Sequence, residues 1–249
     1  MRLAAIVAWL GFGGLVGHGA TPVTAPLESP LLTIPLRFHL TQGATMTVKA
    51  KSMEVWVTPA QLTGPVIAEV NRIWAPANIR FVVERAEVEP LLRPPGFADL
   101  LHRVEDAARG EEEVRGSGRT AAIAQLLDPA LRHPTAHNVY LLPYLGATYQ
   151  GYAQLGGKQV VVGVWTDKPS GGKQPPVKAL LVEPEPMHVG SLARTIAHEL
   201  GHNLGLVHPD KAEASEVGRL MGGGRQGYAL TPAEIATARE TACKPARAK

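Results

Sequence analysis

The residues best suited to chemistry sit in one short run, His198-Glu199-Leu200-Gly201-His202-Asn203-Leu204-Gly205-Leu206-Val207-His208. On an α-helix, His198 and His202 lie about 40° apart on one face, one turn above the other. Two imidazoles so placed can reach a single metal ion. Glu199 falls about 60° further round, poorly aimed as a ligand but within reach of a water at that ion. That is the place of a general base beside a catalytic zinc. His208 needs a separate argument, because on a continued helix it would lie about 15 Å along the axis from His198, far beyond a metal bond of about 2 Å. The chain must turn back, and Gly205 can do it, since glycine accepts the positive φ that a helix C-terminus commonly requires. Three histidine ligands leave one position of a four-coordinate zinc open, the form of a catalytic rather than a structural site. At this chain's composition the five fixed residues coincide by accident in about one such sequence in 10⁴.

The elements that must position these residues are legible around them. Ser191 is a candidate N-cap, and Leu192, Ile196, Leu200 and Leu204 recur every four residues, which predicts a helix over about 191–204. Upstream, Leu36–Leu40 alternates as a strand does, and Glu54–Val57 reads as another short one. Thr58-Pro59 opens a helix carrying Val66, Ile67, Val70, Ile73 and Trp74, which ends before Pro76; Gly64-Pro65 either kinks it or delays its start. Strands are expected at Ile79–Val83, Asn138–Leu142 and Val160–Trp165, with Gly151–Leu155 a short one between the last two. Helical stretches are expected near 97–108 and 119–127, and Glu111, Glu112 and Glu113 between them read as solvated surface. Residues 168–186 contain five prolines and two glycines, a long loop. Thr231-Pro232-Ala233-Glu234 is a capping box with proline at N1, opening a helix through about Thr241. The expected class is α/β.

The motif resembles that of the metzincin clan of zinc metallopeptidases, which carry HExxHxxGxxH followed by a methionine-containing turn. The resemblance implies that His198, His202 and His208 bind one zinc ion, that Glu199 is the general base and that Gly205 is the turn glycine. Leu220-Met221-Gly222 is the candidate Met-turn, Met221 being the one methionine downstream of the motif. It further implies a twisted, mostly parallel sheet with two long helices in an N-terminal subdomain. A small C-terminal subdomain with the Met-turn and terminal helix follows a division near Gly205. In metzincins an edge strand pairs with extended substrate, and chain order makes Gly151–Leu155 the candidate. Tyr228 lies seven residues after Met221 rather than the two seen in clan members with a tyrosine near zinc, so it is not assigned as a ligand; lining the specificity pocket remains open to it. No cysteine precedes the motif, which excludes cysteine-switch latency.

Composition narrows the rest. The 249 residues are 45% hydrophobic and 19% charged, ordinary for a packed protein, with one cysteine, Cys243, so an internal disulfide framework is excluded. Net charge is only +3 with no long basic run, which gives nucleic-acid binding no support. Arg2 precedes an apolar run of about fourteen residues, too short to span a bilayer, followed by Gly17, Gly19 and Ala20. A signal peptide over 1–20 is therefore expected, then an extended lead-in over 21–35 and one catalytic domain over 36–249. The exported protein would be free of the membrane, act on protein or peptide substrates, and have no room for a sizeable pro-domain. His39, His102, His133 and His137 lack ligand spacing and read as structural; His188, just before the active-site helix, is placed to approach the cleft, with surface or loop packing the favoured reading. Cys243 reads as a bystander thiol. A zinc-binding protein without turnover, or a hydrolase of a non-peptide amide, would carry the same motif.

Overall fold

A computed structural model describes residues 29–90, 129–145, 150–166, 173–182, 191–209, 218–222 and 227–244. The expected signal segment, both expected helices between residues 97 and 127, His102 and His188 lie outside them. The architecture is mixed α/β around a mostly parallel five-stranded sheet. Its order is β4-β1-β5-β7-β6, built from β1 (Leu32–Gln42), β4 (Ile79–Pro90), β5 (His137–Leu142), β7 (Gln159–Gly163) and β6 (Gly151–Ala153). β1 runs parallel to both β4 and β5, and β5 parallel to β7; β6 pairs antiparallel with β7 at one edge.

β1 starts inside the expected lead-in and carries Pro35 within it. Pairing with β5 begins only at Leu36, so Pro35 has β4 as its single ladder neighbour, a position where a missing N–H is tolerated. The expected strand at Glu54–Val57 is not formed. Instead β2 (Met46–Val48) and β3 (Lys51–Met53) make a tight hairpin just upstream. Its two loop residues, Lys49 and Ala50, have φ of 48° and 59°, so the turn is of the primed kind without its usual Asn-Gly. Residues 54–56 are held by side chains: the Trp165 indole donates to the Glu54 carbonyl (2.8 Å), and Trp56 donates to that of Val164 (2.8 Å). β8 (Trp165–Thr166) pairs with β9 (Val177–Lys178), so part of the expected 168–186 loop returns to the body.

Between β1 and β4 the expected helix forms in pieces. A capping box joins Thr58 and Gln61 at the start of α1 (Pro59–Gln61). A π-turn over Leu62–Val66 absorbs Pro65, α2 follows over Ile67–Trp74, and a short 3₁₀ turn over Ala75–Ala77 ends at left-handed Asn78. The wider turn accommodates the proline ring and its missing N–H without ending the helix. Val66, Val70, Ile73 and Trp74 are buried in the core, and the Trp74 indole donates to the carbonyl of Ala197 in α3 (Leu192–Asn203) at 3.2 Å. Ile196 and Leu200 are fully buried against this core, each stabilising the fold by about 1.5–3 kcal/mol. The last element, α4 (Pro232–Cys243), opens with the expected Thr231–Glu234 capping box. No helix of the described residues is long and apolar enough to cross a membrane.

Candidate metal centre

α3 begins where the sequence places it: the Ser191 hydroxyl accepts from the Arg194 N–H, capping the first turn. Its end is fixed by glycine. Gly205 has φ +85°, its N–H donates to the His202 carbonyl (3.0 Å), and the Leu206 N–H donates to that of Gly201 (2.9 Å). This pair of bonds is a Schellman motif, and it turns Leu206 and the chain beyond it back beneath the helix.

The reversal delivers His208. Its ring centroid lies 5.1 Å from that of His198 and 4.8 Å from that of His202, which are themselves 4.9 Å apart. One donor nitrogen from each falls within 4.8 Å of the others, and the Nε2 atoms of His198 and His208 are 3.0 Å apart. Two facing ring nitrogens at that distance need a proton or a cation between them. Nitrogens on bonds of about 2.0–2.1 Å around a tetrahedral ion stand about 3.3 Å apart, so the trio fits one ion.

Hydrogen bonds set which nitrogen faces the centre. His198 Nδ1–H donates to the Leu220 carbonyl (2.7 Å), and His202 Nδ1–H donates to that of Leu206 (2.8 Å). Each leaves an Nε2 lone pair pointing inward. Burial pushes the His198 pKa well below its ordinary value, against the bond to Leu220, with the charges of His202, Arg194 and His208 adding to the depression. Burial lowers His202 as well, opposed by its bond to Leu206. Both rings are thus held neutral, the form that binds metal.

Glu199 is buried beside the edge strand. A Cβ on Gly151 of β6 would fall 2.6 Å from both Cγ and Oε1 of Glu199, and 2.8 Å from Thr195 Cγ2. Only a residue without a side chain lets the carboxylate lie there. Asn203 ties α3 to the turn after β6, to β7 and to β5: its Nδ2 donates to the carbonyls of Gln154 (3.0 Å) and Gln159 (3.2 Å), and its Oδ1 accepts from His137 Nδ1 (3.0 Å). Burial pushes His137 down to about 4, against the bond to Asn203. The turn after β6 is tied once more, Gly156 N–H donating to the His202 carbonyl (2.9 Å). Met221, fully buried, packs under the helix, its Sδ 2.7 Å from where a Cβ on Gly201 would sit.

Other sequence candidates fall elsewhere. Tyr228 lies against α2, the Arg72 guanidinium 5.0 Å from its ring centroid. His39 is buried between Glu89 Oε1 (2.6 Å) and Asn138 Oδ1 (3.0 Å) and stacks on Tyr140. His133 accepts from the backbone of Thr135 and Ala136, and Cys243 is exposed. Sequence reading places Gly151 at the start of the candidate edge strand but not against Glu199, and gives His137 a structural role, with which its burial and bond to Asn203 agree; Asn203 itself escaped it, the one signal being an amide directly beside His202.

Three convergent imidazoles with a buried carboxylate beside them define a candidate mononuclear metal centre. No protein-family model and no curated protein sequence matches the chain. Among solved structures, the chain is similar to a zinc-dependent peptidase from Methanocorpusculum labreanum. The two share 15% identity and a TM-score of 0.41 over 82% of this chain and 99% of that one. It is also similar to a chain of a chaperone-substrate complex, at 13% identity and a TM-score of 0.39, over 85% of this chain and 34% of that one. Both likenesses are remote, and the chemistry is carried by this chain's own residues.

Proposed function

We propose that the protein is an exported zinc-dependent endopeptidase of metzincin type. The observation that carries this reading is the convergence of His198, His202 and His208 next to a buried Glu199 that abuts the sheet's edge strand. Zinc held by the three imidazoles would supply Lewis acidity, polarising a scissile carbonyl and lowering the pKa of water towards 7. The chain's own residues do the rest. β6 receives an extended peptide by strand addition, which lays its backbone across the centre. Glu199 takes the proton of the attacking water and returns it to the leaving amine. Its burial against Gly151 keeps the carboxylate fixed while it does so. Leu206 and Leu220 hold two of the ligand rings through their carbonyls.

Replacing Glu199 by Gln tests the mechanism. The variant is expected to bind zinc as the wild type does and to cleave peptides about 10²–10⁴-fold more slowly. Undiminished turnover would sink the role given to Glu199, and a wild type inert toward a diverse peptide library would sink the peptidase reading.

A further inference from the structure

α3 carries a residue that breaks two rules at once. Arg194 is 2% exposed, and it sits at the third position of the helix, where the aligned peptide dipoles disfavour a cation. Burying a guanidinium there is strongly unfavourable unless its donors are used. Nε donates to the Gly227 carbonyl (2.7 Å) and Nη2 to the Leu220 carbonyl (2.9 Å). One side chain therefore grips both ends of the stretch that starts at the Met-turn. Leu220 O is also the acceptor that orients His198, four residues further along the same helix face. The segment is braced by Leu220 N–H donating to Ala229 O and Ala229 N–H donating to Gly218 O, both at 2.8 Å.

We propose that Arg194 is a positioning residue for the metal centre: it fixes the Leu220 carbonyl, and through it the His198 ring and the Met221 side chain beneath the helix. Resting on the metal-site reading above, this adds a residue outside the metal motif. Arginine suits the place because its planar fork presents N–H groups on separate nitrogens in fixed geometry to two carbonyls, whereas lysine's three donors rotate about one nitrogen on a flexible stem.

The test compares Zn2+ affinity, by chelator competition, and the visible spectrum of the Co2+-loaded protein. The chains compared are wild type, Arg194→Met, Arg194→Lys and Ile79→Val, the last a core truncation on β4 that lowers stability away from the site. Both Arg194 variants are expected to bind Zn2+ at least about tenfold more weakly, the scale of an outer-shell loss, and to shift the Co2+ bands. Lysine should fail to rescue, and Ile79→Val should match wild type in both readouts. Wild-type affinity and bands in a folded Arg194→Met would overturn the proposal. Should both Arg194 variants fail to fold, the wild-type Arg194 Nε–H resonance decides. Slow hydrogen exchange and a shift on Zn2+ addition are expected, and fast exchange or no shift would overturn it. A wild type that takes up no Zn2+ would overturn the metal reading and this proposal together; the outcomes above concern Arg194 alone.

Discussion

At the scale of single residues, the site depends on what small or neutral side chains permit. Gly151→Ala would drive a methyl group to within 2.6 Å of Glu199 Oε1, so the carboxylate must move. Peptide turnover should fall about tenfold to a hundredfold, the cost of a misplacement on the ångström scale, while zinc content holds, which metal analysis beside kinetics would check. His137 gives a pH signature. Its imidazole stays neutral in the folded chain down to about pH 4, whereas the unfolded chain takes up a proton near the ordinary value of 6.5. The unfolded state then binds more protons in that window, so stability is full above about pH 6.5 and lost as pH falls towards 4. The loss from this group is on the order of 3 kcal/mol. Denaturant titrations of metal-free protein should show it, superimposed on losses of the same sign from His198 and His202, and His137→Asn should flatten the His137 share.

At the scale of elements, Gly205 is the critical joint. Gly205→Ala would force a left-handed conformation on a residue with a side chain and place its Cβ 2.9 Å from Thr241 Oγ1 of α4. A stability loss of about 1–3 kcal/mol is expected, with a larger proportional loss of zinc affinity because His208 is reached only through that turn. Equal affinity in the variant would show that His208 finds its place without the glycine. This joint also explains what sequence could and could not reveal. α3, its Ser191 cap and its glycine stop were legible because period, cap and turn are all local signals. The contact of Glu199 with Gly151 and the amide bridge from Asn203 to Gln154 and Gln159 join residues more than forty positions apart, and no local pattern announces them. The β2–β3 hairpin was hidden because Lys49-Ala50 carries none of the usual turn residues. β4 reads short because its far half, Glu84 to Pro90, mixes exposed charges among its apolar residues; the register slips by one residue at Glu84, yet pairing with β1 continues to Pro90.

At the scale of the whole molecule, the two ends of the described chain are stapled together. Arg239 of α4 donates to the carbonyls of Ala77 (2.7 Å), Asn78 (3.2 Å) and Pro30 (2.8 Å), so the terminal helix grips both the lead-in and the turn just before β4. Processing that removed Pro30 would strip one arm of this staple. The export reading therefore expects the mature chain to begin well before it, near residue 20 or 21, as small residues at 17, 19 and 20 imply. N-terminal sequencing of protein recovered from outside the cytoplasm checks this, and a mature end beyond Pro30, or none outside, would sink it.

Among the described residues β6 has no neighbour on its outer side. A strand left open to receive one polypeptide is open to any, including misfolded copies of its own chain, and such edges are where aggregation begins. Here the hazard is contained by brevity. β6 is three residues long, begins with glycine and is pinned at its following turn by Asn203 and His202. On the peptidase reading it offers enough backbone to register a passing peptide, while three residues make a short template for any further strand.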